Sequence, residues 1–273
     1  MDTHIARYRS ELASRREEIF RKESVRTSPL TAVRAYTQAV DAILHDIYAS
    51  TITAPAPEAK VCLVALGGYG RRELCPYSDV DILILREEGQ ETEGIAAAVR
   101  RFWDVGMNMG CVVRTLRECA SIMGDDFSTD TALLESRYLT GDIRLYEKLR
   151  QTVIAPFFEK QNKAYGETIR QTLRERLFSP EMSIYRVEPY LKDGVCCLRD
   201  CQRLLWAERV RIGAESFADL PLKGVFSVGQ AARLGTNYAF LLGLRAALHQ
   251  VCGRRMDVLE TALQPMTADV YGY

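Results

Sequence analysis

Neither sign of charge predominates in this sequence: 36 Lys and Arg balance 36 Asp and Glu, for a formal net charge of zero. Without a global basic field, non-specific capture of nucleic acid is not expected, which argues against a transferase acting on tRNA or DNA ends. Long hydrophobic runs are missing as well. The longest stretches free of Asp, Glu, Lys and Arg, Ile47 to Pro57 and Leu234 to Leu244, are eleven residues each, well short of the ~20 that cross a bilayer. The N-terminus, Met1-Asp2-Thr3-His4, has no apolar signal core, so a cytoplasmic location and no membrane partner are expected. Histidine is scarce. His4, His45 and His249 are scattered, with no second histidine at ligand spacing, and no hydrolase centre is expected from them. Eight cysteines include no Cys-x-x-Cys pair and read as reduced, mostly buried thiols rather than disulfides or zinc ligands.

What is present is ample apolar material. With 273 residues, 47% of them hydrophobic, the chain suits one large domain or two medium ones. Ile5, Tyr8, Leu12, Ile19 and Phe20 recur at helical spacing over residues 3 to 23, and Ser28-Pro29 then reads as the N-cap and first residue of a second helix striped by Val33, Val40, Ile43, Leu44 and Ile47. Thr53-Ala54-Pro55-Ala56-Pro57 ends it. The apolar run Val61 to Leu66 reads as a buried strand, Ser78 to Leu85 as a second, Glu93 to Val105 as a helix and Cys111 to Thr115 as a short strand. From about Asp142 the pattern is helical throughout, with long segments Phe157 to Phe178, Leu198 to Ile212 and Val228 to Cys252 separated by turns at Ser179-Pro180, Gly213 and Pro221. The expected class is α+β: N-terminal helices over 1–55, a compact mixed core over 56–141, and an all-helical bundle over 142–273.

Gly67-Gly68-Tyr69-Gly70 closes the first strand, and Asp79-Val80-Asp81 opens the second. Two successive glycines let a backbone turn sharply and approach a ligand, and the amides of the helical turn that follows face anions. The glycines alone also fit an ordinary tight turn. The period of a strand puts Asp79 and Asp81 on one face, where two like charges call for a cation between them; two hard oxygen ligands suit Mg²⁺ or Mn²⁺ bridging to substrate phosphates. A solvated strand end with one capping Asp is the alternative. Together the two motifs indicate a metal-dependent nucleotidyltransferase.

The segment Leu66-Gly67-Gly68-Tyr69-Gly70-Arg71-Arg72-Glu73-Leu74-Cys75-Pro76-Tyr77-Ser78-Asp79-Val80-Asp81 resembles the nucleotidyltransferase motif of bacterial PII uridylyltransferase/uridylyl-removing enzymes, which belong to the DNA polymerase beta-like nucleotidyltransferases. Trp103-Asp104-Val105-Gly106, Val113-Arg114-Thr115-Leu116, Leu133-Leu134-Glu135-Ser136-Arg137 with Gly141-Asp142, and Leu198-Arg199-Asp200-Cys201-Gln202 resemble the same family in order. The resemblance implies a polymerase beta-like core followed by a helical domain, with Asp79 and Asp81 as catalytic metal ligands. It implies Gly67, Gly68 and Ser78 at the triphosphate and Arg71 supplying positive charge as pyrophosphate leaves, Arg71 otherwise reading as a solvated helix residue. Lys192 and Arg199 join the nucleotide site on the same grounds, although Arg199 and Asp200 read equally well as an internal ion pair. Expected partners are UTP or another nucleoside triphosphate and a PII-type signalling protein accepting UMP on a tyrosine. A related transferase using ATP or another acceptor, and a regulatory module that binds without turnover, are the alternatives.

The sequence departs from the family pattern in three places: Arg72 stands where similar enzymes have glycine, Cys111 where they have histidine, and Val195-Cys196-Cys197 where they have Pro-Gly-Gly. The strand Cys111 to Thr115 carries no third carboxylate of the kind usual in the superfamily, an absence shared with similar uridylyltransferases. Glu135 is a candidate for that role but, as an acid on an expected helix, reads more readily as a surface or ion-pair residue. Similar proteins continue into a phosphohydrolase domain and paired small-molecule-binding domains, so the chain is expected to be a piece of a longer enzyme or a short relative without the removing activity.

Overall fold

The computed structural model describes residues 3–90, 93–178, 183 and 185–273, and divides them into two compact units, Met1–Ile19 with Val33–Phe157 and Phe20–Ala32 with Phe158–Tyr273. The chain is α+β. Its first helices are α1 (Thr3–Ile19), α2 (Lys22–Thr27) and α3 (Pro29–Tyr48), the last running into a π-helical turn at Ala49–Thr53. The single helix expected over residues 3 to 23 is thus broken after Ile19. Ser28 closes α2, and its carbonyl accepts the Ala32 amide that opens α3.

In the first unit, β1 (Val61–Ala65) leads through the four-residue helix α4 (Gly67–Gly70) to β2 (Val80–Arg86). Helix α5 (Glu93–Asp104) connects to β3 (Met109–Arg114), and α6 (Leu116–Ile122) and α7 (Phe127–Leu134) precede β4 (Arg137–Gly141) and α8 (Ile143–Lys148). The strands form one mixed sheet in the order β3-β2-β1-β4. β1 pairs antiparallel with β2 and β4, while β2 and β3 are parallel. A central strand has both faces covered, which is why Val61 to Ala65 is apolar at every position and buried throughout. The α3 stripe Val33, Val40, Ile43, Leu44 and Ile47 is buried as its spacing predicts.

Two local readings differ from the structure. The strand expected from Ser78 begins only at Val80, because residues 75–78 are clasped in a turn: Ser78 N–H donates to the Cys75 carbonyl (3.0 Å) and Cys75 N–H to Ser78 Oγ (3.1 Å). The second difference is β4, for which the sequence gives no strand expectation. All five of its residues are half-buried, so it shows no alternation by which a strand announces itself.

The regular elements of the second unit are helical, with one isolated bridge between Tyr190 and Val258. Helix α9 (Ala155–Phe178) is followed by α10 (Leu198–Ile212), α11 (Asp219–Leu222), α12 (Val228–Cys252) and α13 (Gln264–Tyr271). Gly213 and Gly253 end α10 and α12 in the left-handed conformation, the ordinary way to close a helix. The turn expected at Ser179-Pro180 lies outside the described residues, and Pro221, expected to break the chain, sits inside the short α11, within the turn where a missing amide is tolerated. α2 packs on α12 and α13; Gly243 permits this, since a Cβ there would lie 2.8 Å from the Val25 carbonyl. Among the described residues, no helix is long and apolar enough to cross a membrane.

Candidate active site

The glycine turn and Asp81 meet where β1 ends beside the start of β2. The amide of Leu66, at the end of β1, donates to the backbone carbonyl of Asp81 (2.9 Å), so the turn and the acidic strand end are joined directly. Gly67 adopts φ 51°, a conformation that disfavours a side chain, and its missing Cβ faces open space with nothing within 4 Å. The amides of Gly67, Gly68 and Tyr69 form the first turn of α4, where no carbonyl of the helix reaches them.

The turn is held from behind by residues distant in sequence. Arg137 makes a paired contact with Asp41 (2.9 and 3.0 Å) and donates to the carbonyls of Tyr69 and Gly70 (3.3 Å each), with its guanidinium over the buried Tyr69 ring. Burial, with Asp41 beside it, raises the Tyr69 phenol well above its ordinary pKa and keeps it neutral. Gly70 admits the end of α7: a Cβ there would sit 2.2 Å from the Glu135 carbonyl.

Arg71 is neither a solvated helix residue nor an isolated cation. Its Nε donates to Glu73 (2.7 Å) and its Nη1 to Glu135 (2.5 Å), and all three side chains are largely buried. Two carboxylates thereby fix the guanidinium plane, and Nη2 lies 3.5 Å from the Cβ position of Gly68, at the glycine turn. Glu135 sits at the C-cap of α7 rather than on a helical surface, and its role is the ion pair.

Asp81 is exposed on β2 and pairs in register with Gly110 of β3. A Cβ at Gly110 would meet Asp81 Oδ1 at 2.2 Å, so the carboxylate occupies the space that glycine leaves. The parallel register puts Leu83, Val112 and Arg114 on the same face. Beside them a cavity of about 320 Å³ runs from Leu66 and Asp81 to the hydroxyl residues Ser128 and Thr129 of α7. Asp79 lies one residue before β2, at the end of the segment clasped by Ser78. Two carboxylates are what the turn and strand deliver here; among the described residues no group of three or more His, Cys, Asp or Glu gathers as a metal site. A pair of hard oxygens fits a magnesium-type ion, which takes its other ligands from phosphate and water, and does not fit a closed zinc cage. The one His-Asp dipeptide of the sequence, His45-Asp46, is exposed on α3 and belongs to no group of three or more such ligands among the described residues.

The structure joins Gly67, Gly68 and Arg71 of the glycine turn to Asp81, with Asp79 one residue before β2, whereas Ser78 lines a separate cavity with Arg9 and Arg16. Lys192 and Arg199 come together in the second unit. Arg199 N–H donates to the Lys192 carbonyl (2.8 Å) and its side chain pairs with Asp193 (3.3 Å), while Asp200 is taken by Arg203 (2.7 Å) and Arg176 (3.4 Å). The alternative Arg199–Asp200 ion pair is therefore replaced by three others, one of Arg199 and two of Asp200. Burial, and then the charges of Arg245, Arg199 and Arg255, lower the Lys192 pKa. Cys196, in the turn where similar enzymes have glycine, adopts φ 58°, and Arg72, likewise in a glycine position, adopts φ 63°; these are the two non-glycine residues of positive φ among those described. Sequence reasoning passed over Asp41, Glu73 and Arg137 as positioning residues, although Arg137 lay inside a family-like motif.

The family model described as GlnD PII-uridylyltransferase matches residues 167–273. Proteins named bifunctional uridylyltransferase/uridylyl-removing enzyme are similar over more of the chain. The one from Cupriavidus pinatubonensis is 34% identical over 271 residues, 98% of this chain and 30% of the relative. Those from Burkholderia vietnamiensis and Burkholderia thailandensis are 36% and 31% identical, over 79% and 97% of this chain and 25% and 30% of theirs. The chain thus spans less than a third of the length of these relatives. With its motifs, family-model match and relatives in agreement, the chain belongs to the PII-uridylyltransferase family.

Proposed function

We propose that this chain carries the nucleotidyl-transferring portion of such an enzyme, with a polymerase beta-like core and a helical domain, and that it moves UMP from UTP to a tyrosine hydroxyl of a PII-type signalling protein in the cytoplasm. The new bond joins the tyrosine oxygen to the α-phosphorus, the α–β phosphoanhydride breaks, and pyrophosphate leaves. The observation that carries this reading is the Leu66–Asp81 backbone hydrogen bond, which fixes the open glycine turn beside a carboxylate seated against Gly110. Asp79 and Asp81 would hold Mg²⁺ or Mn²⁺, which when bound polarises phosphoryl oxygens and lowers the pKa of an attacking hydroxyl. Gly67 and Gly68 leave room for the β- and γ-phosphates. Arg71, oriented by Glu73 and Glu135, offsets negative charge on the departing pyrophosphate. The cavity beside Asp81 receives the nucleoside, its volume lying in the range of small-molecule sites.

A second reading, nucleotide binding without turnover, draws on Cys196, whose left-handed backbone occupies a turn built from glycines in similar enzymes. Incubation with labelled UTP, ATP, GTP or CTP, Mg²⁺ or Mn²⁺ and the PII protein of the same organism separates the two. Metal-dependent labelling of PII from UTP supports the proposal, and labelling from ATP alone reassigns the nucleotide. Saturable UTP binding with no labelling of PII selects the second reading.

A further inference from the structure

A cavity of about 130 Å³ lies between α1, residues 76–80 and residues 105–108. Its polar lining is Arg9, Arg16, Tyr36, Tyr77, Ser78 and Asn108, with no Asp or Glu among the lining residues. Both guanidiniums are held by uncharged groups. Arg9 Nε donates to the Asp104 carbonyl (2.7 Å) and lies 3.8 Å from the Cβ position of Gly106, which is a glycine at φ 83°. Arg16 Nη1 donates to the Pro76 carbonyl (3.4 Å), and its plane covers the Tyr77 ring at 4.3 Å. Among the described residues neither arginine forms an ion pair.

Two fixed, unneutralised guanidiniums on one small cavity repel each other until an anion enters, and each retains donors beyond the one in use. We propose that this cavity is a second binding site, for a small free oxyanion of the phosphate class, gripped between Arg9 and Arg16. Planar forks match the oxygens of phosphate, and the cavity is too small for a nucleotide, whose sites start near 300 Å³. Because Ser78 and Val80 line the cavity and flank Asp79, the bound anion braces the segment that delivers Asp79 by tying it to α1. Of the residues expected at the triphosphate, Ser78 lines this cavity, whereas Asp79, Asp81 and the glycine turn do not, so phosphate binding that is lost with Arg9 and Arg16 is distinguishable from the transfer site.

The test is calorimetric titration of the whole chain with inorganic phosphate in EDTA, which keeps divalent ions away from Asp79 and Asp81, beside a titration with chloride at matched ionic strength. Wild-type protein is expected to bind phosphate saturably with a raised melting midpoint, and the Arg9→Gln/Arg16→Gln double variant to bind at least about tenfold more weakly. Arg16→Lys, which keeps the charge but loses the fork, should fall between them. Equal phosphate affinity in wild type and double variant, or a wild-type response that chloride reproduces, overturns the proposal. Should the double variant fail to fold, the exposed Arg9→Gln alone decides: an unchanged affinity in that folded variant refutes the site.

Discussion

Replacing Gly110 with alanine moves the Asp81 carboxylate without altering any charge. The added Cβ would stand 2.2 Å from Oδ1, whereas real Cβ atoms keep beyond 3.0 Å, so the oxygen must retreat by at least 3.0 − 2.2 = 0.8 Å. The carboxylate is the far end of a flexible side chain at an exposed position, and off-rotamer torsions of this kind cost on the order of 1 kcal/mol. Gly110 is not among the residues of positive φ, so alanine fits the backbone, and the smaller entropy of the unfolded chain restores about 0.5–1 kcal/mol. Global stability should therefore change by less than ~1 kcal/mol. Catalysis is far more sensitive: a displacement of about 1 Å in a reacting constellation lowers the rate roughly 100-fold, about 2.7 kcal/mol in the barrier. The assay is transfer of label from UTP to PII protein over a Mn²⁺ titration, with a circular-dichroism melt alongside. A fall in kcat/KM of about 100-fold, a higher Mn²⁺ requirement and a near-unchanged melt are expected. Wild-type turnover at the wild-type Mn²⁺ requirement in the folded variant would refute the placement of Asp81 at the reacting phosphate.

Asp79→Asn and Asp81→Asn should each abolish metal-dependent transfer while leaving the far-UV spectrum and melt intact, because both sit at a strand end rather than in the core; undiminished turnover in the double variant removes them from the metal site. Cys196→Gly relieves a left-handed backbone on an exposed residue and should stabilise the chain by about 0.5–1 kcal/mol, read as a higher denaturant midpoint, with the Cys196 N–H to Asp200 bond retained. Burial lowers the His249 pKa from 6.5 to about 4. The unfolded chain therefore takes up the proton first on acidification, so stability present above pH 6.5 should decline toward pH 4, by at most ~1.4 kcal/mol per pH unit. Denaturation of His249→Gln at pH 7 and pH 4.5 checks this, since the variant should lose that part of the slope.

Local pattern in the sequence determined much of this molecule. The ranges Leu198 to Ile212 and Val228 to Cys252 are helices to the residue, because apolar spacing and the glycines that follow act within a few positions of each other. The same holds for β1, whose uniform apolarity requires a doubly covered strand, and for the Gly67–Gly68 turn with Asp81 on the next strand. Tertiary structure alone decided what those motifs face. Arg71 meets Glu135 across 64 positions and Arg137 meets Asp41 across 96, distances over which no periodicity speaks, so charges that read as solvated surface became the frame of the glycine turn. Gly110 carried no visible signal, since its meaning lies in the parallel register that sets it against Asp81. Arg9 and Arg16 carried no signal either, because only the placement of α1 against residues 76–80 and 105–108 brings both onto one cavity whose lining residues include no carboxylate.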